Sequence, residues 1–340
     1  MKVLYGIQAT GNGHISRCRV MAKYLKQQKI DVTYLISGRA KEDLFDMEIF
    51  GDFQYREGLT FVTKRGQIKY GATAIKNNLL RFIRDIYALD LEPYDVIITD
   101  FEPVTAWAGR LRNKTVIGIG HQYAFGSKTP VTGANPIAKL VMKYFAPANI
   151  SAGLHWHPFD DTIFPPIIDT SLTPNEKDGS ILVYLPFEDQ QLVTRLLSRF
   201  GGQEFVLYSP ELEDKTVLNV RQRKTCYGGF KHDLTRARGV ICNSGFELIS
   251  ECLHLGLPIL TKPIQGQMEQ LSNALSLNKL GYAQVMTTLD GDVIEQWLTR
   301  LQPCHPRQFP DVAKALSSWI ASGNWQSPSS LVEQIWPVTK

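Results

Sequence analysis

No stretch of the chain approaches the ~20 consecutive apolar residues that a membrane-spanning helix requires. Cysteine is scarce: Cys18, Cys226, Cys242, Cys252 and Cys304 are an odd number, widely spaced, with no C-x-x-C pair. That pattern argues against a disulfide framework and a cysteine zinc site, and predicts reduced thiols in a cytoplasmic protein. Long runs of one charge are missing too. The net charge is only +4, with its surplus in the first half of the chain, which excludes a nucleic-acid footprint. There is no fixed-period repeat and no low-complexity tract, so solenoids and disordered tails are set aside. The apolar run within residues 1–14 is too short for a signal peptide and reads as the first strand of a fold. What remains is ordinary globular composition, 44% hydrophobic and 21% charged over 340 residues, a length suited to two domains.

Short apolar runs alternate with helical patterns in both halves, which predicts parallel sheets built from βαβ units. Strands are expected at residues 2–8, 31–36, 96–99 and 116–120, with helices at 15–28, 74–89 and 104–112. A proline-rich stretch from Pro158 to Pro174 interrupts this periodicity. Beyond it, strands are expected at 180–184, 204–208, 240–242 and 259–261, and helices at 190–200, 244–255, 268–280 and 293–301. The fold class is therefore α/β, two Rossmann-like doubly wound domains facing a cleft. Residues 1–165 form the first, 166–178 the hinge and 179–340 the second, whose last helix is able to return to the first. Ligands of such sheets bind beyond the carboxyl ends of the strands, so the strand-to-helix turns carry the chemistry.

The first such turn is Gly11-Asn12-Gly13-His14. Glycines there permit a tight turn and close approach of a ligand to a helix start that favours negative charge. A dinucleotide fingerprint requires a third glycine at Ser16 and an acid ending the second strand, which instead ends Leu35-Ile36-Ser37-Gly38. His14 has two readings: a general base at the cleft mouth, or a helix-start histidine bonded to a neighbouring carbonyl. Arg17 and Arg19 either face an anion across the cleft or are solvated.

The richest stretch is Val240 to Ala274. Asn243-Ser244-Gly245 turns from a strand into a helix, and the N–H groups of Ser244, Gly245 and Phe246 are expected to be free for a phosphate. Ser244 and Glu247 match a capping box. Glu251 lies among Leu248, Ile249, Cys252 and Leu253, where it needs donors such as a ribose diol; pairing with a Lys or Arg is the plain alternative. Gly256-Leu257-Pro258 ends the helix. Gln267, Gln270 and Asn273 are spaced to share one helix face, and their amides suit the hydroxyls of a sugar, or else form an exposed polar face.

With Ser244-Gly245, Glu251, Gly256-Leu257-Pro258, Pro263, Gln270 and Asn273-Ala274 in this order, the sequence resembles a GT-B nucleotide-sugar glycosyltransferase. It is most similar to the branch containing the peptidoglycan lipid-linked N-acetylglucosaminyltransferase and its uncharacterised bacterial and archaeal relatives, and Gly11-Asn12-Gly13-His14 matches that family's acceptor-side loop. The resemblance implies that Gly245 and adjacent amides hold the diphosphate of a UDP-sugar, Glu251 the ribose, and Gln270 and Asn273 the sugar, with Phe230 and Lys231 where the family's backbone reads uracil. Glu269 stands where that enzyme carries an amide. Retaining members often carry an acid eight positions before the ribose-binding glutamate; Asn243 is there instead, which implies inversion.

Inverting transfer needs one base for the acceptor hydroxyl and no metal where helix termini neutralise the diphosphate. His14 is the first candidate for that base and Asp100 the second, with Glu102 and His121 as further acceptor-side groups; Asp100 is equally able to serve as a helix cap. The expected activity is transfer of a hexose or N-acetylhexosamine to an envelope glycan or lipid-linked acceptor, without a cofactor. A UDP-sugar 2-epimerase and a non-catalytic nucleotide-sugar binder are the alternatives. The patterns at 76–89 and 138–145 mix basic and apolar residues and either cover a sheet or touch a bilayer, which would put the protein at the inner face of the plasma membrane. Loops 58–71 and 125–136 are expected to choose the acceptor.

Overall fold

The computed structural model describes residues 1–64, 66–126, 128–326 and 328–336. The first half runs β1 (Lys2–Gln8), α1 (Asn12–Gln27), β2 (Asp31–Ser37), β3 (Gln54–Tyr55), a small antiparallel hairpin of β4 (Thr63–Lys64) and β5 (Gln67–Ile68), then α2 (Tyr70–Lys76), α3 (Leu79–Ala88), β6 (Val96–Asp100), α4 (Pro103–Leu111), β7 (Val116–Gly120), α5 (Pro136–Tyr144), β8 (Ile150–Leu154) and β9 (Ile163–Phe164). Seven of these strands form one parallel sheet in the order β3-β2-β1-β6-β7-β8-β9. The order reverses between β1 and β6, and the turns after both strands open at that switch point. Strands this deeply covered on both faces read as continuous apolar runs, as in Val3–Ile7, where every residue is buried.

The second half runs β10 (Ile181–Tyr184), α6 (Gln190–Leu197), β11 (Phe205–Ser209), β12 (Lys215–Val217), β13 (Val220–Lys224), α7 (Tyr227–Arg236), β14 (Gly239–Asn243), α8 (Phe246–Leu255), β15 (Ile259–Lys262), α9 (Met268–Leu280), β16 (Gln284–Val285), α10 (Gly291–Thr299), α11 (Val312–Ser322) and α12 (Ser329–Ile335). Its sheet, β12-β13-β11-β10-β14-β15-β16, is parallel except for β12. Here too the order reverses, between β10 and β14, and α8 starts at that point. The chain thus has two α/β domains whose strand ends face each other.

Local sequence explains the element boundaries. Gly256 and Gly281 close α8 and α9 in the left-handed conformation, φ +68° and +65°, which only glycine adopts at little cost. Asn78 interrupts the pattern expected as one helix over 74–89: its side chain accepts the Arg81 N–H at 2.9 Å and starts α3 as a new helix. The stretch from Pro158 to Pro174 is in part sheet, because Ile163 and Phe164 are β9 and Ile167 and Ile168 are buried beneath it. The last helices pack on the first domain. Gln28 donates to Ser318 at 3.0 Å, the Tyr24 hydroxyl donates to Asp311, and the Trp336 indole donates to the Ile163 carbonyl at 2.6 Å.

Candidate active site

A cleft of about 1570 Å³ separates the two sets of strand ends. On the first domain its wall includes residues 10–14, Arg17, Arg39, Phe101, His121 and Gln122; on the second, Tyr184, Asn243, residues 245–248 and residues 266–270.

At the first wall, α1 begins at Asn12 rather than at residue 15, so His14 sits in its first turn. His14 Nδ1 lies 2.6 Å from Asp100 Oδ1. Asp100 ends β6 and is fully buried, and the next residue, Phe101, takes a left-handed φ of +52°, a strained conformation for a bulky side chain. That kink turns Asp100 toward α1 and Glu102 away from it. Burial alone would raise the Asp100 pKa, but Arg17 and His14 hold it well below the usual carboxylate range. An ionised Asp100 only accepts, so Nδ1 of His14 carries the proton and Nε2 is the acceptor, with Gln122 Nε2 3.5 Å away. Arg17 reaches Asp100 with two further bonds of 2.6 Å, from Nε and Nη2.

The second wall centres on α8. Its N-cap is Gly245, which offers no side chain. The Ser244 hydroxyl shares a 2.9 Å bond with Thr261, and Ser244 is fully buried. The expected capping box is therefore not formed: Glu247 reaches across the cleft to Arg17 instead. Nor are all the expected N–H donors free. Ser244 donates to the Lys262 carbonyl at 3.2 Å and Gly245 to that of Asn243 at 2.8 Å. The groups left at the helix start are those of Phe246, Glu247 and Leu248, all on the cleft wall.

Several candidates lie elsewhere than expected. Glu251 is 6% exposed, pairs with Lys231 and is not on the cleft wall. Phe230 packs edge-on to Tyr184 and Tyr208, with centroids 5.3 and 5.1 Å away. Phe230 lies in α7, not in a loop, and the residues before that helix that do reach the cleft are Lys224 and Thr225, at the end of β13. The strand-end rule alone could have found them. Asn273 is fully buried and off the cleft wall: its amide donates to the Ser244 carbonyl at 3.0 Å, and its Oδ1 lies 2.6 Å from His121 Nε2. Glu102 is the cap of α4, accepting from Val104 N, Thr105 N, the Thr105 hydroxyl and the Ser37 hydroxyl at 2.7–2.9 Å. Its oxygens are filled, and Asp100 is not the cap. His121 lines the cleft but donates Nδ1–H to the Leu154 carbonyl at 2.7 Å and stacks on Phe246, ring centroids 4.0 Å apart. Burial keeps its pKa below the ordinary value.

Gln267 and Gln270 are on the cleft wall; Gln270 Oε1 accepts the Ile264 N–H at 3.0 Å. Gly11 has open space around it, whereas a Cβ on Gly13 would meet Glu247 Cγ at 3.0 Å. Asn12 donates to the Tyr184 hydroxyl at 3.0 Å, tying the glycine turn to the opposite domain. Sequence reasoning missed Glu247, because a capping box explains that residue too well. Among the described residues no three His, Cys, Asp or Glu side chains are grouped to hold a metal ion.

The family model for glycosyl transferase family 1 matches residues 1–302. The chain belongs to that family. No curated protein sequence matches it. Among solved structures it resembles the glycotransferase of kitacinnamycin, with a TM-score of 0.58 at 14% identity over 99% of both chains. MurG of Acinetobacter baumannii gives 0.53 at 15% over 98% of both. SsfS6 of Streptomyces sp. SF2575, solved with thymidine diphosphate, gives 0.57 at 12% over 98% of this chain and 99% of that one. The transferase thus has the GT-B fold, and its active centre is sought in the cleft between its domains.

Proposed function

We propose that the transferase moves a hexose or N-acetylhexosamine from a UDP-sugar to a hydroxyl acceptor, with inversion and without a metal. The observation that carries this reading is the His14–Asp100 pair, whose imidazole opens into the cleft opposite the uncapped start of α8. The diphosphate lies at the N–H groups of Phe246, Glu247 and Leu248, where the helix dipole favours its charge. Gln267 and Gln270 face the sugar, and Lys224, Thr225 and Tyr184 border the nucleoside. The acceptor hydroxyl gives its proton to His14 Nε2 as its oxygen attacks the anomeric carbon. Asp100 stabilises the imidazolium, and the nucleoside diphosphate leaves from the opposite face of the sugar.

The test is a panel of UDP- and TDP-sugars offered to wild type and His14→Ala with acceptor extracts. His14→Ala is expected to bind UDP with wild-type affinity while transfer drops by about 10²–10⁴-fold, the usual contribution of a positioned base. The anomeric configuration of the product, read by NMR, should be inverted. Transfer at the wild-type rate by His14→Ala, or a retained configuration, overturns the reading.

The acceptor side supports a lipid-linked substrate. α3 exposes Leu79, Leu80, Ile83 and Tyr87, and α5 exposes Ile137, Leu140 and Tyr144. No acid occurs between Glu102 and Asp160. Ile137, Ala138 and Val141 of α5 continue into the cleft wall. This basic and apolar face suits an anionic bilayer from which an acceptor head group enters the cleft.

A further inference from the structure

Arg17 is 2% exposed, and its guanidinium has a partner in each domain. Nε and Nη2 fork onto the two oxygens of Asp100, and Nη1 donates to Glu247 at the start of α8. One guanidinium is thus held by a carboxylate of its own domain and a carboxylate of the other. We propose that Arg17 is a positioning residue for the His14–Asp100 pair, and that Glu247 of the opposite domain completes its grip. This deepens the reading of His14 as the base and rests on it.

Three observations carry the proposal. First, Arg17 leaves Asp100 no freedom: both carboxylate oxygens are fixed from one side by a planar fork, so the oxygen that meets His14 Nδ1 is set by where Arg17 stands. Second, the contact comes from the other domain on a nitrogen Asp100 does not use: Nη1 meets Glu247 while Nε and Nη2 hold Asp100. Third, the approach of Glu247 depends on the missing side chain at Gly13, since a Cβ there would stand 3.0 Å from Glu247 Cγ. The glycine turn therefore makes room for the opposite domain's carboxylate.

The groups facing Glu247 are Arg17 from α1, Asp100 from β6 and Glu251 from its own helix; burial, first, and the two acids push its pKa up to about 7 against the pull of Arg17. A carboxylate held at such a cost is expected where function requires it.

The experiment compares Arg17→Met, Arg17→Lys, Glu247→Gln and Gly13→Ala with wild type and His14→Ala. UDP affinity is measured by calorimetry, turnover by nucleotide release from the donor sugar found in the panel, and the His14 imidazole by ¹⁵N NMR. Gly13 lies in the first turn of α1 outside the left-handed region, so alanine there carries no backbone strain and acts through its contact with Glu247. The expected result is turnover lowered by about 100-fold in Arg17→Met and about 10-fold in Glu247→Gln and Gly13→Ala, with UDP affinity in Arg17→Met within about twofold of wild type. Arg17→Lys recovers part of the loss. The Nδ1–H signal of His14, protected from exchange in wild type, exchanges faster in Arg17→Met and Gly13→Ala. If Glu247→Gln and Gly13→Ala turn over at the wild-type rate with an unaltered His14 signal while His14→Ala is inactive, the proposal fails and the base assignment stands. If His14→Ala is active, the base assignment itself fails.

Discussion

Lys231 and Glu251 are 20 residues apart in the chain, yet they meet because α7 leads into β14 and α8 leaves it, and each supplies the charge the other needs in a largely buried site. Breaking such a pair leaves one ion buried without a partner, which typically costs more than the pair contributes. Glu251→Ala is accordingly expected to destabilise the fold by about 3 kcal/mol, read from chemical unfolding, because Lys231 is left behind. Its UDP dissociation constant should stay within about threefold of wild type. A stable variant with UDP binding weakened more than tenfold would return Glu251 to the ribose. The sequence could not separate these outcomes: Lys231 and Glu251 both read as donor-site residues, and only the fold around β14 turns them toward each other. Glu247 misled in the opposite direction. A local rule, the capping box, accounted for it fully, and the competing partner, Arg17, is 230 residues away.

Element-scale features were more legible, for physical reasons. Buried parallel strands need continuous apolar runs, so β1, β2, β6 and β7 stood out; β3, β9 and β16, with two residues each, are too short to carry a pattern. Helix ends were legible where chemistry marks them, as at Gly256, and not where a cap lies inside an amphipathic run, as at Asn78. Two helices of the first domain carry a testable consequence. Leu80 and Ile83 on α3, 83% and 49% exposed, and Leu140 on α5, 57% exposed, point outward although each lies on an otherwise apolar stripe. A helix that merely covered a sheet would bury them. The transferase is therefore expected to sediment with vesicles containing anionic phosphatidylglycerol, and much less with purely zwitterionic vesicles. Leu80→Ser combined with Leu140→Ser should abolish sedimentation while leaving UDP binding intact. Equal sedimentation by the variant and wild type would contradict the docking face.

At the scale of the whole molecule, the two domains are joined by side chains buried between them. His121 of the first domain stacks on Phe246 of the second, and beside it His155 and Trp156 extend the cluster, the Trp156 indole donating to the Ser250 hydroxyl at 2.8 Å. Burial, first, and then the neighbouring histidines press the His155 pKa well below the ordinary value, and burial lowers that of His121. The Trp156 N–H donates to His155 Nδ1 at 2.8 Å, a bond that protonation of that nitrogen would remove. The His155 ring, which accepts at Nδ1, is thus neutral when folded, whereas in the unfolded chain it takes up a proton below about pH 6.5. A depressed histidine pKa contributes stability that is present above the unfolded value and lost as pH falls toward the folded one. Unfolding free energy should therefore decline between pH 7 and pH 5. His155→Phe, which keeps an aromatic ring but cannot titrate, should show a shallower decline over the same window, even if it is less stable at pH 7 through loss of the Trp156 bond. Parallel slopes for wild type and variant would mean that His155 titrates alike in both states, and that the aromatic cluster does not confer this acid sensitivity on the interdomain contact.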